Sequence, residues 1–480
     1  MGGVLLASVG LALLTQGGAA AEERDASVLA HRGYYFTFTR MPTYGLDAWK
    51  DIIDCVREDD GNTVILYMSG AFRSRAFPET WAHNRDHANV KEDFVRELID
   101  YAHERGVKAL LGFTPFGYDG VNRMSLTRPE WRATGPDGQT VAKFGFHSWG
   151  YNLCPARPDT QAFMLAYARE MIHEFYPNAD GLLIESSDYA ACHCKDCGAR
   201  FYEHEFRFVK AISEEMWAMN PDAFIIVYPH YFTGNDVPGL GVAAAREPFD
   251  PRWALVFTPH SAHPDPDLIA QARGAIWWDE AVARHGPRDI REGVRRAVEE
   301  NCTGYLPSLE VFTYVPTEPE EGQAYIVGKR RVPYGFGWLD EGRMPYDELP
   351  VRVNRIAYRA YCRMPDLSDE AFRTLLGRAL FGSAATAESV ADALEIQRIY
   401  AADRTWCQPA PLLDPERVRA MREAGELTEP RIEAYRVSLN RAQEIASRYR
   451  NKGEAFAALR RAAQWIADLW GERTETFTGP

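Results

Sequence analysis

Short apolar runs alternate with longer amphipathic segments between residues 28 and 309 of the chain. The apolar runs predict buried strands, whereas apolar residues that recur every three or four positions predict helices. The predicted strands are 33–38, 63–68, 108–113, 181–185, 223–228, 253–257, 274–278 and 303–311. The predicted helices between them are 45–57, 90–105, 160–175, 199–219 and 287–301. Eight strands that alternate with helices predict an α/β fold, a (β/α)8 TIM barrel.

The pattern is weakest at 229–270, where the helices that would follow strands 5 and 6 are short or absent. A doubly wound open sheet is therefore the alternative fold. No glycine-rich phosphate-binding loop follows the first strand, so a nucleotide-binding fold gains no support.

From residue 349 onwards the pattern is helical only. The predicted helices are 352–361, 368–380, 388–402, 415–424, 430–449 and 453–470. We therefore expect a catalytic barrel over residues 22–345 and an all-helical C-terminal domain over residues 346–480.

The first 21 residues have the pattern of a secretory signal peptide. Residues 4–14 form a short apolar core, and the alanines at 19–21 offer a small-residue cleavage site before a polar segment. The basic residues that usually precede the apolar core are missing. An uncleaved anchor is the alternative, although the apolar run is too short to span a bilayer comfortably. We expect a secreted or periplasmic protein with no membrane segment in its mature form.

Composition narrows the class of partner. The chain has 480 residues, of which 46% are hydrophobic, enough for a barrel and an additional domain. Its formal net charge of -14 argues against a nucleic acid partner, because phosphate binding needs a basic surface. Aromatic residues make up 12% of the chain, which suits a large core as well as a carbohydrate site.

Carboxylates stand at several predicted strand ends, and the carboxyl ends of the strands are where TIM barrels carry out chemistry. They are Glu185 and Asp188 at strand 4, Asp279 at strand 7 and Glu310 at strand 8. A carboxylate at the end of a buried strand is costly unless it is paired or faces a cleft. Glycosidic cleavage needs two carboxylates beside the bond, one as acid and one as nucleophile or base. These four residues are therefore the candidate catalytic residues.

Aromatic and basic side chains follow the same strands and are the candidate substrate-binding residues. They are Arg73, His147, Trp149, Tyr151, His230, His260, Trp278 and Tyr314. Arg73, like Arg75 and Arg123, suits an anionic sugar, because guanidinium binds carboxylate or sulfate with two hydrogen bonds. The sequence has no H-E-x-x-H metal motif and no G-x-S-x-G nucleophile elbow. We expect no catalytic metal and no cofactor.

Each candidate also has a purely structural interpretation. An ion pair at the barrel rim is the alternative for Glu185, and a loop or helix cap is the alternative for Asp188 and Asp279. Glu310 lies within an apolar strand, so it must be either paired or functional. The histidines could individually be core or rim residues, and the arginines could form surface ion pairs.

These features predict a secreted glycoside hydrolase that cleaves an oligo- or polysaccharide by carboxylate general acid/base chemistry. A barrel that only binds a glycan is one alternative. A polysaccharide lyase, in which tyrosine and histidine act on a uronate-containing glycan, is another. A carbohydrate is the expected partner in all three cases.

Three of the eight cysteines, Cys192, Cys194 and Cys197, form a cluster directly after strand 4. A disulfide is the plainer interpretation in an exported protein, while the C-x-C-x2-C spacing also resembles a zinc site with a fourth ligand. Cys154 follows strand 3, and the loops after strands 3 and 4 are neighbours in a barrel. We expect a disulfide between Cys154 and the cluster rather than a structural zinc, and no chemistry from these residues.

The strand-4 glutamate, the cysteine cluster and the helical domain after the barrel resemble a group of glycosidase barrels. The group contains the family-20 hexosaminidases, the family-67 α-glucuronidases and related bacterial families. The sequence Tyr-Asn-Leu-Cys-Pro at 151–155 is also similar to that group. The resemblance implies that Glu185 is the general acid.

This chain departs from the family-20 pattern at one position. Family-20 enzymes carry an Asp-Glu pair at strand 4, whereas Ile184 precedes Glu185 here. Substrate-assisted hydrolysis of N-acetylhexosamines would then need Asp188 as the polarising carboxylate. The large clan of retaining barrels places its nucleophile at strand 7, which corresponds loosely to Asp279.

Overall fold

The computed structural model describes residues 29–36, 45–68, 72–82, 88–117, 120–140, 151–185, 191–228, 249–258, 266–279, 281–309, 348–402 and 422–478. The predicted signal peptide, residues 1–21, lies outside these ranges. Within them, no helix has both the length and the apolar character that crossing a membrane requires.

Eight strands form a closed parallel barrel in which each strand pairs with the next and β8 pairs with β1. They are β1 His31–Phe36, β2 Thr63–Tyr67, β3 Lys108–Phe113, β4 Gly181–Ile184, β5 Phe224–Val227, β6 Trp253–Phe257, β7 Gly274–Trp277 and β8 Gly304–Tyr305. The predicted TIM barrel is therefore confirmed. β8 is shorter than the predicted segment 303–311, and beyond it Ser308 still forms an isolated parallel bridge with Tyr35.

Side chains along each strand point alternately into the barrel and out towards the helices, because successive strand residues face opposite sides. The inward side chains pack into one apolar cluster, formed by Tyr35, Ile65, Tyr67, Leu110, Leu183, Phe224, Ile226, Tyr228, Ala254, Val256, Ile276 and Leu306. The outward side chains belong to a larger core beneath the helices. Gly112 leaves room inside the barrel, since a Cβ atom there would lie 3.2 Å from Cδ2 of Tyr67.

Helices surround the barrel and form the whole C-terminal region that the structure describes. Those of six residues or more are α1 Leu46–Glu58, α2 Val95–Glu104, α3 Pro158–Arg169, α4 Phe201–Met219, α5 Pro266–Gln271, α6 Pro287–Glu299, α7 Leu349–Arg363, α8 Asp369–Phe381, α9 Ala387–Ala401, α10 Glu429–Tyr449 and α11 Ala457–Thr478. A π-helical segment, Glu170–Phe175, continues α3. Short helical turns lie at Pro78–Thr80, Ala88–Lys91, Val121–Arg123, Met124–Thr127, Pro129–Trp131, Gly198–Arg200, Ala281–Arg284, Gly382–Ala384 and Glu454–Phe456.

The predicted helix 90–105 is wrong in one respect, because the chain leaves the helical path at 92–94, between Ala88–Lys91 and α2. Tertiary contacts fix this break. The Asp93 carboxylate accepts a hydrogen bond of 3.1 Å from the Tyr176 hydroxyl, and Phe94 is buried in the core. Most of the predicted helix 415–424 lies outside the described residues.

The first C-terminal helix, α7, packs directly on the barrel. The Tyr358 hydroxyl donates to the carbonyl oxygen of Tyr305 at 3.0 Å and accepts from the backbone N–H of Gly33 at 2.8 Å. The buried guanidinium of Arg355 donates to the buried carboxylate of Asp59 at 2.7 Å. α7 therefore joins the barrel to the helices that follow it. The predicted domain boundary, between residues 345 and 346, falls outside the described residues.

Candidate active site

Glu185 directly follows β4 and turns into the carboxyl end of the barrel. Leu183 belongs to the inward cluster, whereas Leu182 and Ile184 belong to the outer core. The two-residue period of a strand therefore directs Glu185 inward. Only 8% of the residue is exposed, and its Oε2 atom accepts a hydrogen bond of 2.8 Å from the hydroxyl of Tyr35 on β1.

Tyr35 is a fixed hydrogen-bond donor to Glu185. Burial raises the pKa of Tyr35 well above its usual value, and the nearby charge of Glu185 raises it further. The hydroxyl therefore stays protonated at neutral pH. Its ring packs edge-on against Trp278 and Tyr67, with centroid separations of 5.8 Å and 6.5 Å. This packing holds the hydroxyl in place beside the carboxylate.

Aromatic side chains at or directly after the ends of four strands pack together at this end of the barrel. Tyr35, Tyr67 and Tyr228 belong to the inward cluster, and Trp278 packs against it. A small cavity lies inside the barrel between Tyr35, Tyr228 and Trp278 and their apolar neighbours. The Trp278 Nε1 atom is buried and has no hydrogen-bond acceptor in the described part of the chain. Such a donor is suited to a hydroxyl of a ligand. Trp278 packs on Tyr35, the residue that donates to Glu185, and its role in substrate binding stays a prediction.

Asp279, the candidate at strand 7, faces the helix layer instead of the barrel interior. Trp278 packs on the inward cluster, so the next residue of the chain points the other way. The Asp279 carboxylate accepts hydrogen bonds from the Tyr305 hydroxyl at 2.8 Å, the Ala281 backbone N–H at 2.9 Å and the Trp277 indole at 3.2 Å. Burial raises the pKa of Asp279, and these hydrogen bonds oppose that shift.

Helix α6 covers the carboxylate of Asp279. A Cβ atom at Gly293 would lie 2.6 Å from its Oδ2 atom, so only glycine lets the helix approach this closely. The bond to Ala281 caps the short helical turn that follows. These contacts match the cap interpretation of Asp279, and the structure does not bring this residue together with Glu185.

Two further binding candidates lie in segments beside the barrel. Arg73 is exposed, and its guanidinium lies 5.6 Å from the centroid of the Trp81 ring. Tyr151 is half-buried, and the guanidinium of Arg132 lies 4.2 Å from the centroid of its ring. Arg75 forms an exposed ion pair of 3.2 Å with Glu174. A surface ion pair is the structural alternative that the sequence leaves open for the arginines. Substrate binding by Arg73 and Tyr151 stays a prediction.

The other candidates fall outside the described residues, and their roles stay predictions. They are the carboxylates Asp188 and Glu310 and the binding candidates His147, Trp149, His230, His260 and Tyr314.

Tyr35, Tyr67 and Tyr228 are not among the candidate residues that the sequence predicts. Each lies within or directly after an apolar run, where an aromatic residue is expected in any large core. Their positions could have identified them, because each of these inward-facing tyrosines lies within one residue of the carboxyl end of its strand.

Four cysteines meet beside the segment that follows β4. The sulfur atoms of Cys154, Cys192, Cys194 and Cys197 all lie within 4.8 Å of one another. The expected approach of Cys154 to the cluster is therefore confirmed. The predicted disulfide is not formed: the Cys154 Sγ atom lies 3.6 Å from that of Cys194 and 3.5 Å from that of Cys197. A disulfide bond is only about 2.05 Å long, so these sulfurs are in contact without being bonded.

Comparisons with known proteins bear on the fold. No family model and no curated protein matches the sequence. A GH138 enzyme targeting pectin rhamnogalacturonan II is similar in structure, with a TM-score of 0.50 and 10% identity over 94% of this chain and 59% of that chain. A mutant O-GlcNAc hydrolase of Thermobaculum terrenum has a TM-score of 0.47 and 12% identity, over 92% of this chain and 83% of that chain. A chitobiase of Flavobacterium johnsoniae has a TM-score of 0.43 and 10% identity, over 94% and 72%.

The GH138 enzyme supports the fold alone, because only 10% of the residues are identical. The chain spans 59% of the length of that enzyme. The fold is thus one that glycoside hydrolases use, which confirms the resemblance to glycosidase barrels at the level of architecture. Because one fold hosts many activities, the chemistry has to be argued from the side chains of the site.

Proposed function

We propose that the protein is a glycoside hydrolase that cleaves an oligo- or polysaccharide, with Glu185 as its general acid. The observation that carries the proposal is the position of Glu185, buried at the carboxyl end of β4, turned into the barrel and held by Tyr35. TIM-barrel enzymes carry out their chemistry at this end. Apolar and aromatic walls favour a carboxyl group that keeps its proton for the leaving oxygen.

We assign the second catalytic carboxylate to Glu310, which lies outside the described residues. Leu306 is inward-facing, and Ser308 pairs with the inward-facing Tyr35. Glu310 continues this two-residue series in the sequence. Asp279 faces the helix layer, so it is the weaker candidate, and Asp188 keeps an assisting role in the proposal.

Tyr35 is unsuited to act as the base of a polysaccharide lyase. A lyase would need a tyrosine or histidine that accepts a proton from the sugar ring. Burial raises the pKa of Tyr35, which makes it a poor base at neutral pH. A barrel that only binds glycans needs no proton donor beside the glycosidic bond, so a buried and oriented carboxyl group supports the catalytic interpretation. We further propose export of the protein, on the basis of the signal-like sequence 1–21.

A panel of defined oligo- and polysaccharides, incubated with the full chain, tests this function. We expect at least one glycan to yield products with a new reducing end that carries oxygen from labelled water. Unsaturated uronate products that absorb ultraviolet light would instead support a lyase. Glycan binding without any product across the panel would overturn the proposal in favour of a binding barrel.

A further inference from the structure

The four cysteine sulfurs beside the barrel mouth have the spacing of a metal site. In a tetrahedral zinc site with Zn–S bonds of about 2.3 Å, neighbouring sulfurs lie about 3.8 Å apart. The Cys154 sulfur lies 3.6 Å and 3.5 Å from those of Cys194 and Cys197, and all four lie within 4.8 Å. Cys154, Cys192 and Cys197 are almost fully buried.

We propose that Cys154, Cys192, Cys194 and Cys197 bind one structural Zn²⁺ ion. Three of the ligands come from the segment after β4, and the fourth comes from the segment before α3. Four protein ligands complete a tetrahedral shell and leave no position for water or substrate, which is typical of structural rather than catalytic zinc. The proposal does not depend on the glycosidase activity.

Backbone N–H groups surround the cysteines as they do in thiolate sites. The Thr134 N–H donates to the Cys192 sulfur at 3.3 Å, and the Cys197 N–H donates to the Cys194 sulfur at 3.4 Å. Such hydrogen bonds offset the negative charge of thiolate ligands and fix their orientation. A sulfur in a disulfide carries no charge for these donors to offset, so the donors favour metal over disulfide.

The site would join two segments that border the mouth. Cys192 lies seven residues beyond Glu185 in the chain. The neighbouring His193 N–H donates to the carbonyl oxygen of Thr134 at 2.6 Å, so the segment after β4 is already paired with the connection between β3 and α3, which also carries Cys154. Zinc binding therefore fixes the far end of the segment that leaves Glu185, and loss of zinc should lower the stability of this region.

Metal analysis of the full chain, purified without metal-affinity resin or chelator, tests the proposal. We expect about one zinc ion per chain. In Cys192→Ser and Cys197→Ser, zinc content should fall at least about tenfold and the thermal midpoint should drop, because a tetrahedral site loses a ligand. The matched control is Cys302→Ser, which removes a buried cysteine outside the cluster and should keep its zinc.

Thiol titration of the denatured, unreduced chain in the presence of chelator separates zinc from disulfides. The chain has eight cysteines, and the four of the cluster should react as thiols. Absence of metal together with missing thiols at these four positions, located by peptide mass mapping, would mean that the cluster forms disulfides, and would overturn the proposal. Stoichiometric iron in place of zinc would overturn the choice of metal. Both measurements use the unmodified chain, so they decide the question even where a cysteine variant fails to fold.

Discussion

The hydroxyl of Tyr35 donates a hydrogen bond of 2.8 Å to the Oε2 atom of Glu185 across the mouth of the barrel. Tyr35 lies on β1 and Glu185 follows β4, so the bond links strands that do not pair with each other. It is buried at both ends. A carboxyl group held by a donor that cannot easily lose its proton has a fixed orientation, which proton transfer to a leaving group requires.

Replacement of the Glu185 carboxyl by an amide tests the role of general acid. Glu185→Gln keeps the shape of the side chain but cannot transfer a proton, so kcat should fall by about 10²–10⁴-fold. Sugar binding, measured by calorimetry on a substrate identified in the glycan panel, should stay largely intact. Glu205→Gln is the matched control, since it makes the same substitution at another buried glutamate and should leave kcat unchanged. Wild-type turnover by Glu185→Gln would exclude the assignment.

Removal of the Tyr35 hydroxyl tests whether this residue positions Glu185. Tyr35→Phe keeps the aromatic packing but removes the hydrogen bond that orients the Glu185 carboxyl group, so kcat should fall by about tenfold. A hydroxyl donor favours the ionised carboxylate. In the variant, the alkaline limb of the pH–kcat profile, which a general acid controls, should therefore move to higher pH.

Tyr34→Phe is the control for this variant. Tyr34 is the neighbouring residue on β1, but its hydroxyl donates to Asp59 on the outside of the barrel at 2.7 Å. This control should lower stability without moving the pH profile. If Tyr35→Phe likewise lowers stability and leaves the pH–kcat profile unshifted, Tyr35 contributes only to packing.

The barrel could be predicted from the sequence because each buried strand is a short, continuous apolar run between helical segments. The runs at β2, β3 and β6 fall within one residue of the observed strands. The break before α2 could not be predicted, because it depends on contacts with Tyr176, a residue far away in the sequence. Local pattern carries no information about such contacts.

The direction of each strand-end side chain is the part of the site that the sequence could not provide. Glu185 is two residues beyond the inward Leu183, whereas Asp279 is three residues beyond the inward Ile276. In a parallel barrel both faces of a strand are apolar, so the hydrophobic pattern does not indicate which face is inward. A shift of one residue along the strand therefore decides whether a carboxylate lies at the barrel mouth or beneath a helix.

Asp279→Asn separates a structural from a catalytic role for Asp279. The amide nitrogen would replace one of the two oxygens that accept hydrogen bonds from Tyr305 and Trp277. A buried mismatch of this kind should cost about 1–3 kcal/mol of unfolding free energy, measured by urea denaturation. The turnover of the folded fraction should stay within a few-fold of wild type. A variant that is stable yet inactive would instead return Asp279 to the catalytic residues.

Glu205, on α4, should make stability fall as pH rises. Its side chain is fully buried, and neither carboxyl oxygen has a hydrogen-bond partner in the described ranges. Burial raises the pKa of Glu205 well above its usual value. The folded state therefore holds a proton that the unfolded state releases above its own pKa, near 4.3. Between that pH and the raised pKa, the group should cost about 1.4 kcal/mol of unfolding free energy per pH unit.

Glu205→Gln removes this penalty because glutamine does not titrate. Urea denaturation from pH 4 to pH 7 should give similar unfolding free energies for the two proteins at the acid end. Towards neutral pH the variant should become progressively more stable than wild type. Equal destabilisation of Glu205→Gln at every pH would contradict a neutral Glu205, because it would mean that the native fold uses an interaction glutamine cannot make.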